Sequence, residues 1–299
     1  MMPKRTILTG LLSAALAVAP AAQALDIAAT TSNMGMLAKH VGGEHVDVTT
    51  MAPPDRDAHF LEARPSMMAA IRGADLVVSV GAELEDGWLP AAIRGANNPG
   101  VRAGQSGYFE AAAQVELLGG GGPADRSRGD VHPAGNPHVY LDPIRMGEVA
   151  EALAGRLANK DAANAETYES NARAFAERAE EHVAQWRESV DGAPGVVLYH
   201  ADATYLLERL GVPDLDYLEP VPGVPPTGSH LRSLIRDLEG QDGVIIRYPY
   251  QREDHAQFVA EQLGWEYYTL MNGVEIGGDA DDYFALLEQW VEALRSPLD

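Results

Sequence analysis

Apolar residues recur along one stretch of this chain at helical intervals. Tyr168, Ala172, Phe175, Ala179, Val183, Trp186 and Val190 follow one another at spacings of 4, 3, 4, 4, 3 and 4, which puts them on one face of an α-helix. Run from Asp161 to Val190, such a helix reaches about 45 Å at 1.5 Å per residue. That is long for a globular protein and suited to a strut between two lobes. Short apolar runs alternate with helical patterns on either side of it. Before the helix, strands are expected at 25–31, 45–51 and 75–80, with helices around 34–40, 65–73 and 88–94. After it, strands at 195–199, 215–218, 244–247 and 266–270 interleave with helices at 204–210, 231–238, 255–263 and 281–294. This alternation predicts parallel sheets with helices on both faces. The expected fold is α/β, with two lobes, each a mainly parallel sheet flanked by helices, joined by a long rigid helix. The expected division is an N-terminal lobe at 25–158, the connecting helix at 159–190 and a C-terminal lobe at 191–299. No internal sequence repeat is visible.

Residues 1–24 stand apart from this pattern. Lys4 and Arg5 precede a mostly apolar, uncharged run from 6 to 19, and Ala22-Gln23-Ala24 supplies the small-x-small pattern of a cleavage site. The run is short for a membrane span. A signal peptide, export to the periplasm and a mature chain starting at Leu25 are therefore expected. No cysteine follows the apolar run, which disfavours a lipid anchor.

Without Lys4 and Arg5, 20 basic residues face 44 acidic ones, a net charge of −24. That balance opposes binding to nucleic acid or to an anionic membrane surface, both of which use Lys and Arg clusters. The absence of cysteine removes disulfides, so stability has to come from burial. It also leaves imidazole and oxygen as the ligands for any metal.

Nine histidines are available, and their spacing alone selects none. Context separates His59, in a loop after a strand, His138, after Pro137 at a loop exit, and His200, at the end of an apolar strand where open α/β sheets place ligands. The other six have plain readings. His182 rides on the flank of the long helix, His132 sits in a Gly-rich loop over 118–137, and His40, His45, His230 and His255 sit in polar surface contexts. Asp142-Pro143 reads as a helix start, with Asp as cap and Pro in the first turn.

The motifs around these histidines are familiar. Asp57-Ala58-His59 with Arg64-Pro65-Ser66 resembles the D-x-H and P-S segment of the substrate-binding proteins of bacterial zinc and manganese ABC importers. Ala74-Asp75-Leu76-Val77-Val78, then Glu83-Leu84-Glu85 and Trp88-Leu89, resembles the stretch that follows there. Asn136-Pro137-His138-Val139-Tyr140-Leu141-Asp142-Pro143 is similar to that family's d-P-H-x-W-l-d-P motif, with Tyr140 in place of Trp. Val197-Leu198-Tyr199-His200 with Tyr205-Leu206 resembles its third His motif, with Ala203 in place of an aromatic residue. Glu219-Pro220 to Ser229 resembles its Pro-rich stretch. The likeness runs in order over essentially the whole mature chain.

The resemblance implies a single metal ion in the cleft between the lobes, held by His59, His138 and His200. Three neutral imidazoles leave one tetrahedral position around Zn²⁺. Manganese members usually carry Glu for the third His, so His200 favours Zn²⁺ over Mn²⁺ as the transported ligand. Family members often add an Asp from the last loop, equivalent here to 271–279. In this chain the fourth position falls to Glu275 or to a water, while Asp279 reads as a helix cap. The loop before His138 holds only Asp125, Asp130 and His132, which argues against auxiliary metal capture. Arg247 stands where the family has a carboxylate-containing strand end.

The implied role is a monomeric periplasmic binding protein. It would deliver zinc to an inner-membrane ABC permease with its cytoplasmic ATPase, and it would catalyse no reaction. The alternatives are a manganese-binding homologue and a periplasmic zinc-dependent hydrolase using the same three histidines, for which Asp57 or Glu275 would have to act as base. A structural site in an adhesin is a third.

Overall fold

The computed structural model describes residues 24–121, 129–130 and 132–298. The expected signal segment, up to Gln23, and Asp125 lie outside the described residues.

Two four-stranded parallel sheets form the frame. The first joins β1 (Leu25–Ala29), β2 (Val46–Thr50), β3 (Leu76–Ser79) and β4 (Tyr108–Glu110) in the order β2-β1-β3-β4. The second joins β5 (Val196–Leu198), β6 (Asp214–Tyr217), β7 (Val244–Arg247) and β8 (Glu266–Thr269) in the order β6-β5-β7-β8. The strand order is the same in both, a structural repeat that left no trace in the sequence. Central strands β3, β5 and β7 are buried along their whole length, as parallel strands covered on both faces must be. Edge strand β2 alternates between buried and solvent-facing residues.

Helices α1 (Ser32–Gly42), α2 (Pro65–Gly73) and α3 (Leu89–Ala96) cover the first sheet, and α6 (Thr204–Leu210), α7 (Gly228–Leu238) and α8 (Glu253–Leu263) accompany the second. Between the sheets stand α4 (Pro143–Lys160) and α5 (Ala165–Ser189), packed along each other and linked by a 3-10 turn over Ala162–Asn164. The apolar stripe read from the sequence is the buried face of α5, from Tyr168 to Trp186. The connection is thus a helical hairpin, and its long helix starts at Ala165, later than expected. Its 25 residues span about 37 Å.

The last helix, α9 (Ala280–Arg295), returns to pack on α5 and α1. Phe284 meets Phe175 at a ring separation of 5.4 Å, and the Tyr283 hydroxyl donates to Tyr140 O at 2.9 Å. Asp279 caps α9 in a capping box closed with Asp282. One hydrophobic core therefore runs continuously from Ile27 and Val78 of the first sheet, through α4 and α5, to Val196 and Ile246 of the second. Two smaller clusters lie on the outer faces, under α2 and α3 and under α7 and α8.

The lobes are also tied by charge. Asp142 is fully buried and caps α4 by accepting the Ile144 N–H at 3.0 Å. Its other oxygen receives Arg145 at 2.6 Å and, from α6, Arg209 at 2.9 Å. Close packing is equally local: a Cβ on Gly42, at the end of α1, would meet Val46 Cγ1 at 2.3 Å. No helix among the described residues is long and apolar enough to cross a membrane.

Candidate metal centre

The carboxyl ends of the strands face one another across a cleft of about 320 Å³. Thr31 to Asn33 reach it from beyond β1, Ala52 to Phe60 from beyond β2, Tyr199 to Asp202 from beyond β5, and Glu219 to Pro225 from beyond β6. This is where open parallel sheets bind ligands.

The three histidines meet in this cleft. His59 sits in the 3-10 turn Ala58–Phe60, His138 just before the 3-10 turn Val139–Leu141, and His200 directly beyond β5. All three are buried, and one ligand nitrogen of each lies within 4.8 Å of the others. Their ring centroids are 5.1, 5.4 and 5.8 Å apart.

One local device orients the first two rings. Asp57 Oδ1 accepts the His59 backbone N–H at 2.9 Å and lies 2.7 Å from His59 Nδ1. Asn136 Oδ1 does the same for His138, at 3.0 and 2.7 Å. In each case an Asx side chain two residues earlier closes a turn on the histidine that follows. Asn136 is itself held by the C-terminal lobe, its Nδ2 donating to Ala201 O at 2.6 Å and its carbonyl accepting the Tyr205 hydroxyl at 2.6 Å. His200 is oriented from a distance: its Nδ1 lies 2.8 Å from Glu219 Oε2, which also accepts the Gly223 N–H at 2.8 Å. With each Nδ1–H engaged by an oxygen, the neutral rings keep their lone pair on Nε2, the atom left for a cation.

The charges around the rings differ. Burial would lower the His59 pKa, but the carboxylates of Asp130 and Asp57 overcome it and push the group up to about 10. Burial likewise opposes protonation of His200, and Glu219 and Asp202 reverse it, so that its pKa is raised. His138 has only an amide at Nδ1. Burial, reinforced by His59 and His200, holds it well below the usual value. Asp57 and Asp130 are held low by their histidines although burial works the other way. Asp202 lines the cleft without joining the converging groups, and burial pushes its pKa up to about 7.

Glu275 is not brought to the histidines. Val274 is buried, with its N–H donating to Asn33 Oδ1, and Glu275 turns away into an exposed turn closed by the Gly278 N–H. From that loop the cleft receives Asn272 and Gly273. An amide thus stands where the resemblance implies a carboxylate, and it donates to the Tyr250 hydroxyl at 2.9 Å.

Three partners went unrecognised in the sequence: Glu219, Asp130 and His132. Asp130 Oδ2 lies 2.9 Å from His59 Nε2, and His59, Asp130 and His132 form a second group with converging ligand atoms. His132 is therefore a neighbour of the site, against its plain reading as a loop histidine. Arg247 has a structural account. It is buried at the end of β7 and donates to Tyr248 O and Gln251 O at 3.1 and 3.0 Å, pinning the turn that carries Tyr250 and Gln251 into the cleft.

Known proteins share the sequence pattern and the fold of this chain. The family model described as zinc-uptake complex component A, periplasmic, matches residues 27–296. The chain is 24% identical over 289 residues to the zinc-binding lipoprotein AdcA of Streptococcus pneumoniae (strain ATCC BAA-255 / R6), covering 92% of this chain and 56% of that protein. It is 24% identical over 228 residues to the manganese ABC transporter substrate-binding lipoprotein PsaA of Streptococcus anginosus, covering 74% of this chain and 70% of that one. The matched part spans about half the length of the first curated relatives. Among solved structures, the crystal structure of ZnuA superposes with a TM-score of 0.77 at 20% identity, over 93% of this chain and 100% of that one. At that identity the likeness speaks for the fold.

Proposed function

The chain belongs to the periplasmic zinc-uptake component A family, whose members are substrate-binding proteins of metal ABC transporters, and from that premise we propose that it captures one zinc ion with His59, His138 and His200. It carries the ion through the periplasm as a monomer and hands it to an inner-membrane permease driven by a cytoplasmic ATPase. The observation that carries this reading is the meeting of three buried imidazoles from three segments, each with an oxygen at Nδ1. Three nitrogen ligands suit zinc better than manganese, which prefers carboxylate and water.

The two bases a hydrolase would have used are accounted for otherwise. Asp57 is engaged by His59, and Glu275 is exposed outside the cleft. Of the other two cleft carboxylates, Glu219 is engaged by His200 and Gly223, and Asp202, with its pKa pushed up to about 7, is the one to test.

Titration of purified protein with zinc against a chelating indicator is expected to give one tight ion per chain. His59→Ala or His200→Ala is expected to weaken it at least tenfold, about 1.4 kcal/mol. Unchanged affinity in either variant refutes the ligand assignment. Zinc-loaded protein is expected to turn over neither p-nitrophenyl acetate nor p-nitrophenyl phosphate, and turnover abolished by Asp202→Ala would replace transport with hydrolysis.

A further inference from the structure

A strap of chain reaches from one lobe to the other beside His59. Gly129, Asp130 and His132 belong to the Gly-rich connection between β4 and α4, and the first two dock on the Pro-rich loop of the opposite lobe. The Asp130 N–H donates to Pro222 O at 2.6 Å, and a Cβ on Gly223 would stand only 3.0 Å from Asp130 Cβ. This docking delivers the buried Asp130 side chain to His59, with Oδ2 at 2.9 Å from Nε2, the nitrogen that Asp57 leaves for a cation. The other oxygen, Oδ1, lies 3.5 Å from His132 Nε2. His132 is steadied in turn, its Nδ1–H donating to Ala82 O at 3.0 Å. That carbonyl belongs to a turn in which Ala82 and Glu83 both hold left-handed backbone, at φ of 46° and 64°. Two adjacent non-glycine residues in that region are uncommon and are retained where the surroundings demand them.

We propose that Asp130 is the fourth ligand of the captured cation, brought to His59 by the strap and positioned by His132. The inference rests on the three-histidine reading above. Distances support it. Bonds of 2.0–2.1 Å in a tetrahedral zinc site separate neighbouring ligand atoms by about 3.3 Å. Asp130 Oδ2 and His59 Nε2 are already within a few tenths of an ångström of that separation. Chemistry supports it as well. Asp57 is committed to His59 Nδ1, Glu219 to His200 and Gly223, and the last loop offers the amide of Asn272. Asp130 is the carboxylate that faces a ligating nitrogen among the described residues.

The test compares wild type with Asp130→Ala and Asp130→Asn, the latter keeping both side-chain shape and the backbone bond to Pro222. Circular dichroism confirms folding, competitive titration gives zinc affinity, and cobalt(II)-loaded protein is titrated with thiocyanate while its visible spectrum is followed. If Asp130 fills the fourth position, wild-type cobalt protein ignores thiocyanate, both variants bind it, and zinc affinity in both falls at least tenfold. A wild-type spectrum that responds to thiocyanate as the variants do, or variants with wild-type zinc affinity, overturns the inference. If His200→Ala loses zinc while the Asp130 variants keep it, this inference alone falls. A wild-type chain that takes up no zinc removes the three-histidine reading along with it.

Discussion

Glu219 is predicted to hold His200 ready for the metal, and replacing it with Gln isolates that role. One oxygen, Oε2, accepts from both the His200 ring and the Gly223 N–H, each at 2.8 Å. The amide oxygen of Gln carries two lone pairs, so it can meet both the ring and the loop but serves neither with a charge. Hydrogen bonds to charged groups are worth about 1.5–3 kcal/mol, and loss of an outer partner of a ligating histidine typically costs about 10–100-fold in metal affinity. We therefore expect Glu219→Gln to weaken zinc binding about tenfold or more, at least about 1.4 kcal/mol. Glu219→Ala, which also releases the loop that carries Pro222, is expected to weaken it further. Competitive chelator titration at pH 7.5 reads this directly. A pH series separates the proposed role from a general loosening. Burial lowers the His200 pKa and Glu219 is the main group raising it, so the variant's ring is easier to deprotonate. Zinc then has less proton competition to overcome in the variant, and the affinity gap narrows as pH falls. Wild-type affinity in Glu219→Gln, beside a large loss in His200→Ala, would refute the reasoning. So would a gap that widens on acidification.

Two further outcomes follow from the charges. His59 and His200 have raised pKa values, so zinc has to displace protons from both. Calorimetry at pH 7 in buffers of different ionisation enthalpy is expected to show proton release, with affinity falling on acidification from well above the ordinary histidine value of about 6.5. For the metal-free protein the sign is opposite. A histidine raised to about 10 in the folded state contributes stability that is complete below its unfolded value of about 6.5 and is lost as pH climbs through the folded value. Asp142→Ala leaves Arg145 and Arg209 without their fully buried partner and uncaps α4. It is expected to lower unfolding free energy by about 3–5 kcal/mol in urea titration.

What could be read in the sequence was whatever is encoded by neighbours. The α5 stripe was legible because a single helix face repeats every three or four residues. Its start was misplaced by a few residues because Asp161 accepts from Asn164 Nδ2 and the Tyr168 hydroxyl at 2.6 and 2.7 Å, stabilising a 3-10 turn that no apolar period announces. Strand β4 was missed: it has three residues, at a sheet edge, with two of them half-exposed. The histidines were separable only through their motifs, yet part of two of those motifs has a physical meaning. D-x-H and N-P-H place an oxygen two residues before the ring, and that oxygen orients it. Glu219 and Asp130 were not legible, because their contacts depend on which strands lie side by side and on a strap docking against Pro222. The same dependence misdirected the reading toward Glu275, where burial of Val274 turns the next side chain outward.

The arrangement also bears on how an ion leaves. A hinge between the lobes would have to part a core that runs unbroken through α4, α5 and α9, and to pull Arg209 from the buried Asp142 carboxylate. Disrupting such buried contacts costs several kcal/mol. The cleft's outer parts are loops joined across the lobes by hydrogen bonds. Among the contacts of the described residues, the bond from Asp130 N to Pro222 O ties the strap to the Pro-rich loop, and the bond from Gly223 N ties that loop to Glu219, each worth about 1 kcal/mol net. Lifting the strap would take Asp130 from His59, and shifting the loop would loosen Glu219 and with it His200. Release by these loops would leave both sheets in place and would part the proposed ligands one at a time rather than all together.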